Sequence, residues 1–150
     1  MKQLNIIKIT KVVLDVMLVL GIIGLLTLPF TLRIAGKYYS QAIMDHYVGM
    51  VFIFGVSALL GILIIYELRC MMKTVVADDC FVHRNVQSLE RMGGISICIS
   101  IMFIIKMFIL PTPATFIIII VFFIASLFCG VVAQVFAKAI QYKEENDLTI

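Results

Sequence analysis

The sequence predicts an all-α, polytopic membrane protein with four transmembrane helices in an up-down-up-down bundle and both termini in the cytoplasm. Of its 150 residues, 63% are hydrophobic and only 14% are charged, which is far from the balance of a soluble domain. The apolar residues gather into four segments, each near the roughly 20 residues that cross a hydrocarbon core. No segment shows the period-two alternation of a barrel strand, so helices, which satisfy their own backbone groups, are expected.

The four predicted spans and the polar segments between them form one domain, 1–150. The spans are about 12–32, 48–68, 92–110 and 115–137, with a cytoplasmic connector at about 69–91 and a cytoplasmic tail at 138–150. The return loop at 111–114 is short, which favours antiparallel packing of the third and fourth spans.

Lysine and arginine mark the expected cytoplasmic side. Nine of them fall in the N-terminal run, the connector and the tail: Lys2, Lys8, Lys11, Arg69, Lys73, Arg84, Arg91, Lys138 and Lys143. Only Arg33 and Lys37 fall on the other side, and Lys106 lies within a span. This asymmetry predicts a cytoplasmic connector and tail. The net charge of +3 therefore reflects topology, and direct nucleic-acid binding is not expected.

The first span follows a lysine-rich run, 1–11, that predicts a short interfacial helix rather than a cleaved signal peptide. Asp15 lies one turn inside the span, where Lys11 is the simplest partner for its carboxylate. Very small four-helix exporters place an acidic residue in their first helix, so Asp15 also supports an alternative function as a transporter or exporter subunit. Pro29 predicts a kink or the end of this span.

The outer loop, 33–47, carries three tyrosines that suit a membrane interface. An immunity or toxin-resistance protein that uses this loop is a further alternative. Small residues four apart occur in two spans, as Ser57 with Gly61 and Ser126 with Gly130. Such pairs let helices approach closely, either within one bundle or in a homodimer.

Two further charges lie near the ends of spans. Glu67 is close in sequence to Arg69, which predicts a solvated surface position. Lys106 lies about one turn from the outer end of the third span, where its long stem lets the ammonium reach the interface. If Lys106 turned inward, Asp45 or a tyrosine of the outer loop would be its partner.

The connector has the pattern of an amphipathic helix. Phe81, Asn85 and Leu89 recur every fourth residue, and polar side chains occupy the other faces. Asp78 or Asp79 is the predicted N-cap. Glycines at 93 and 94 then mark a point of bending or close packing.

A family resemblance rests on the connector and the tail. The residues that carry the resemblance are Phe81, Asn85, Val86, Leu89 and Gly93, followed by two spans and the closing run KEENDLTI. The chain resembles the domain-of-unknown-function 2975 family, also described as YoaS-like membrane proteins. Cys80 departs from the family, which often has proline there. The resemblance implies a bacterial four-helix membrane protein, often encoded beside a small helix-turn-helix regulator. It thus implies a regulatory role, binding or sequestering this cytoplasmic DNA-binding regulator.

No enzymatic activity is predicted. The two histidines and the scattered carboxylates assemble no nucleophile-base pair, phosphate loop or full set of metal ligands, and no cofactor is implied. The four cysteines form no CxxC pair and are expected to be free thiols.

The surfaces left for binding a partner are the connector and the tail. The predicted partner-binding residues are Phe81, Arg84, Asn85, Leu89, Glu144, Glu145, Asp147, Leu148 and Ile150. The connector residues could equally dock on their own bundle or on the lipid interface. The acidic residues of the tail are expected to release the chain from helix, so that 148–150 could add to a sheet edge or a groove of a partner. A frayed end is the alternative.

Overall fold

Five helices make up the fold. The computed structural model describes the backbone of residues 2–149 and the side chains of residues 5–149. The helices are α1 (Lys2–Tyr38), α2 (Gln41–Asp45), α3 (Tyr47–Val76), α4 (His83–Ile109) and α5 (Pro113–Leu148). All but α2 are long and apolar enough to cross a membrane. The prediction of an all-α chain with four candidate transmembrane helices is therefore confirmed.

The long helices pack in chain order. α1 packs on α3, α3 packs on α4, and the most extensive packing joins α4 to α5. Each pair is antiparallel, so both ends of the described chain lie at one end of the helices, here called the terminal end. Within the described residues, the backbone of α1 does not approach that of α4 or α5. The helices therefore form an open row in which α4 has a long helix on each side.

The first helix is continuous. α1 runs from Lys2 to Tyr38, so a separate interfacial helix at 1–11 is not formed, and Pro29 does not end it. The hydroxyl of Tyr47 donates to the Pro29 carbonyl at 2.9 Å, which links α1 to the start of α3.

The connector is helical on both sides of a short turn, and its second part is the predicted amphipathic helix. α3 continues to Val76 and α4 begins at His83, which leaves residues 77–82 as the turn. The predicted N-cap at Asp78 or Asp79 is wrong, because Val82 is the N-cap and makes no side-chain capping bond. Asp78 instead has a φ of 56°, a left-handed conformation that aspartate tolerates in a turn.

The tail is helical as far as Leu148, so the prediction that its acidic residues release it from helix is wrong. The Gln141 amide donates to Glu145 at 3.0 Å, one turn along, which supports helix at this point. At the other end of α5, the N-cap is Thr112, whose hydroxyl accepts a bond from the Thr115 backbone, and Pro113 occupies the first turn.

Small side chains set the spacing between α4 and α5. A Cβ added at Gly93 would lie 3.4 Å from the Ser126 carbonyl oxygen, whereas Gly94 faces open space. Of the predicted small pairs, Ser57 and Ser126 are buried, but their glycine partners also face open space. Close packing therefore falls at Gly93. The hydrophobic core includes Met50, Ile53, Ile99, Phe103, Cys129 and Ala133.

Candidate functional site

A network of charged and polar groups links α3 to α4 at the terminal end. Glu67 is only 7% exposed, so the prediction of a solvated position is wrong. Its carboxylate accepts a hydrogen bond of 2.7 Å from the hydroxyl of Ser88 and one of 3.3 Å from Arg91. Arg84 lies farther out, at 4.0 Å. A buried charge requires such partners, and these come from the helix that follows in the chain.

Asp15 has a different partner from the one predicted. Its Oδ1 lies 2.6 Å from Nε of Arg69 on α3, and the predicted pairing with Lys11 is not formed. The contact is an ion pair without the alignment of a hydrogen bond. Both side chains are partly exposed, so solvent screens the attraction. The pair fixes α1 against α3.

Asn85 and Leu89 form the inward face of the first turns of α4. Asn85 is 1% exposed, and its amide donates to the hydroxyl of Thr74 and to the Cys80 carbonyl, each at 2.7 Å. Leu89 is also buried. Neither side chain is accessible to a partner, because this face docks on the protein's own helices. Asn85 thereby holds the 77–82 turn in place.

The connector is attached to the last helix by three contacts. The rings of Phe81 and Phe136 pack with centroids 5.3 Å apart. Nε2 of His83 lies 3.3 Å from Glu144, and Nζ of Lys143 donates to Asp79 at 3.2 Å. Residues near each other in space here are about sixty positions apart in sequence.

These contacts border a surface cleft of about 310 Å³, here called the connector groove. Its lining residues are Phe81, Val82, His83, Ile140, Lys143, Glu144 and Asp147. The walls are apolar at Phe81 and Ile140 and charged along α5. Such a cleft, apolar with a polar rim, has the composition of a small protein-binding site.

The remaining predicted residues of the tail and connector are exposed. Leu148 is 86% exposed, and Glu145 is exposed while it accepts the bond from Gln141. Arg84 is half-exposed beside Glu67. Ile150 lies outside the described residues. The structure thus brings Phe81, Glu144 and Asp147 of the predicted set together in one cleft, and leaves Leu148 beyond it.

Lys106 lies inside the α4–α5 hairpin. It is 5% exposed, so the prediction that its ammonium reaches the interface is wrong. Its Nζ donates to the hydroxyl of Thr115 at 2.6 Å, to that of Thr112 at 3.3 Å and to the Leu110 carbonyl at 3.4 Å. The predicted inward partners, Asp45 or a tyrosine, are not used. The hairpin itself supplies the acceptors that a buried ammonium needs.

Thiols and possible metal ligands are dispersed. All four cysteines are free, as predicted. In the part of the chain that the structure describes, no three side chains of His, Cys, Asp or Glu are placed to hold a metal ion.

Comparison with family models gives one assignment. Residues 17–150 match the model described as "Protein of unknown function (DUF2975)". The chain belongs to this family. The match includes α3, α4, α5 and the whole connector groove, so this DUF2975 protein carries its candidate site within the shared region. Lys11 and Asp15 precede the matched region. Among curated proteins and among solved structures, no match is found.

Proposed function

We propose that this protein is a non-enzymatic docking protein of the bacterial inner membrane. It holds a small cytoplasmic helix-turn-helix regulator on the connector groove and on the helical extension of α5. The observation that carries this proposal is the joining of the connector to α5, because it makes one ordered surface from the two segments that carry the family resemblance.

Hydrogen bonds to α3 hold in place the turn and the helix start that form the connector groove. Asn85 fixes the turn to α3, and Glu67 ties the start of α4 to the end of α3. A binding surface held in this way loses little conformational freedom when a partner docks, which favours affinity. Each support lies within one or two turns of the groove.

The extension of α5 offers a second surface. Residues 138–148 continue the helix by about 16 Å past the predicted span, at 1.5 Å per residue. Tyr142 and Leu148 are exposed on it among charged side chains. Exposed aromatic and aliphatic side chains within a polar surround are the usual anchors of a protein interface.

The charge distribution supports a cytoplasmic position for this surface. The terminal end carries the cations of the N-terminal run, the connector and the tail, and such cations are retained inside the cell. A regulator released into the cytoplasm would therefore meet the groove directly. No contact among the described residues favours the exporter or the immunity alternative.

The test is recruitment of the regulator encoded beside the gene. Co-expressed with the full-length protein, the regulator should appear in the membrane fraction, and deletion of residues 144–150 should return most of it to the cytosol. The deletion removes the His83–Glu144 contact, which is exposed and worth about 0 to 1 kcal/mol, so insertion and stability should hold.

The matched control is Tyr39→Ala, which changes an exposed side chain at the opposite end. It should leave recruitment at the level of the unmodified protein. A truncated protein that inserts normally and retains the regulator in full would contradict the proposal.

A further inference from the structure

A basic groove lies between α1 and α3 at the terminal end, apart from the connector groove. It encloses about 160 Å³ and is lined by Lys11, Leu14, Arg69, Met72, Lys73 and Val76. Leu14 is buried at its floor, and Lys11 and Lys73 are exposed at its rim. The groove therefore combines an apolar interior with a cationic edge.

The positive charge of this groove is only partly neutralised. Asp15 pairs with Arg69, which accounts for one of the three cations. Among the described residues, no carboxylate lies within 4.0 Å of the ammonium of Lys11 or of Lys73. Two positive charges thus remain available at the rim, one from each helix.

The height of the groove along the helices matches the edge of the apolar segments. Asp15 faces Arg69, and Gly21 packs near Ile62, so the antiparallel register brings Lys11 level with Lys73. The first apolar segment begins at 12 and the second ends at 68. The cations therefore stand just beyond the apolar segments, at the level where lipid head groups meet the hydrocarbon core.

We propose that this groove binds the phosphate of an anionic phospholipid. Lys11 and Lys73 contact the phosphate from opposite sides, and the acyl chains lie on the exposed apolar side chains of α1. Basic pockets between transmembrane helices recognise anionic head groups by this combination of charge and depth. A free phosphate ion would use the same two lysines but would gain nothing from the apolar walls.

The test compares lipid binding by two double variants that carry the same change in charge. Native mass spectrometry of the full chain in a nonionic detergent measures retained phosphatidylglycerol and phosphatidylcholine. The unmodified protein should prefer phosphatidylglycerol. Lys11→Gln with Lys73→Gln should weaken that binding roughly thirtyfold, the effect of two cations near an anionic head group.

The control is Lys37→Gln with Lys138→Gln, two exposed lysines that line neither groove, of which Lys138 lies at the same end on α5. It should leave phosphatidylglycerol binding unchanged, and Lys11→Arg with Lys73→Arg should preserve it. If the double glutamine variant of the groove does not fold, the single variants Lys73→Gln and Lys138→Gln are compared. The loss of phosphatidylglycerol binding should again be larger for the groove variant, Lys73→Gln.

Three results would overturn the proposal. Equal losses of phosphatidylglycerol binding in the groove pair and the control pair would show that the lipid is attracted by positive charge in general. Equal binding of the two lipids by the unmodified protein would remove the preference. If inorganic phosphate displaced phosphatidylglycerol by binding to Lys11 and Lys73, the groove would be a site for a free anion. None of these results bears on recruitment of the regulator.

Discussion

The carboxylate of Glu67 owes its position to groups on the next helix, α4. Ser88 is 0% exposed and donates to Glu67, whereas Arg84 and Arg91 are about half exposed and approach from the rim. The serine depends on this acceptor more than the arginines do, because water can reach the guanidinium groups. The stability gained at this point therefore rests mainly on the Glu67–Ser88 bond.

Replacement of Glu67 by alanine should lower stability. Loss of the carboxylate leaves the buried Ser88 hydroxyl without its acceptor, at a cost of about 1 to 3 kcal/mol. Thermal unfolding of the detergent-solubilised protein measures the loss. Glu90→Ala is the control, since Glu90 is exposed on α4, the helix that carries Ser88, and its replacement should change little. Equal melting temperatures for the two variants would contradict the assigned role.

Replacement of Lys106 by methionine should leave stability unchanged or raise it. The ammonium is buried and has hydroxyl and carbonyl acceptors but no carboxylate. An ammonium that is buried without a carboxylate carries a cost of desolvation, which an apolar side chain of similar size avoids. The hydroxyls of Thr112 and Thr115 remain bonded to each other at 2.7 Å. A clear fall in melting temperature would show that the ammonium contributes net stability.

The charged side chains whose surroundings were predicted wrongly have one physical feature in common. Asp15, Glu67 and Lys106 each have a partner on the long helix packed next to their own, which are Arg69, Ser88 and Thr115 respectively. Sequence spacing shows where a charge enters an apolar segment, but the neighbouring helix decides whether it is buried. For Glu67, the polar run on α4 that holds Ser88 and Arg91 was the available signal.

The fourth helix, α4, has more buried residues than any other helix of the described chain, because its extensive packing against α5 adds to its packing against α3. Its inward face combines serines with Gly93, which allow the backbone of α5 to come close. Small side chains at such an interface increase van der Waals contact where lipid gives no hydrophobic gain. The spacing between α4 and α5 therefore depends on Gly93 staying small.

Leucine at Gly93 should separate α4 from α5, whereas leucine at Gly94 should be tolerated. A Cβ at Gly93 would already touch Ser126 and Cys129, and a longer side chain would overlap them, at a cost of about 1 to 3 kcal/mol. No atom lies within 4 Å of a Cβ at Gly94. Thermal unfolding of both variants compares adjacent positions with the same substitution. A matching loss at both would assign the effect to leucine itself.

The number of helices long enough to cross a membrane followed from hydrophobicity, but the positions of the helix ends did not. The four apolar segments coincide with α1, α3, α4 and α5 except for Leu110, which follows the end of α4, because lipid requires backbone bonds within each segment. α3, α4 and α5 continue into polar sequence, where their ends depend on contacts such as Lys143 with Asp79. A prediction from hydrophobicity alone ends each helix at the edge of its apolar segment and therefore omits the helical turns beyond it.

The orientation of the whole chain in the membrane is predicted from its cations. A reporter fused after Ile150 should be cytoplasmic, and one inserted at 111–114 should be external. Enzymatic reporters active on only one side of the membrane measure both positions. The reverse pattern would place the connector groove outside the cell and remove the proposed regulator from its reach.

Packing in chain order has a consequence for biosynthesis. Each long helix after α1 packs on the long helix synthesised just before it. In the described chain, α4 is the one helix that packs against α5. Helices released one by one into the bilayer could then pair as they emerge, with contacts that stay local in sequence and close quickly. The order in which the helices are synthesised would then set the order in which they pack. The connector groove would be completed only when α5 packs on α4.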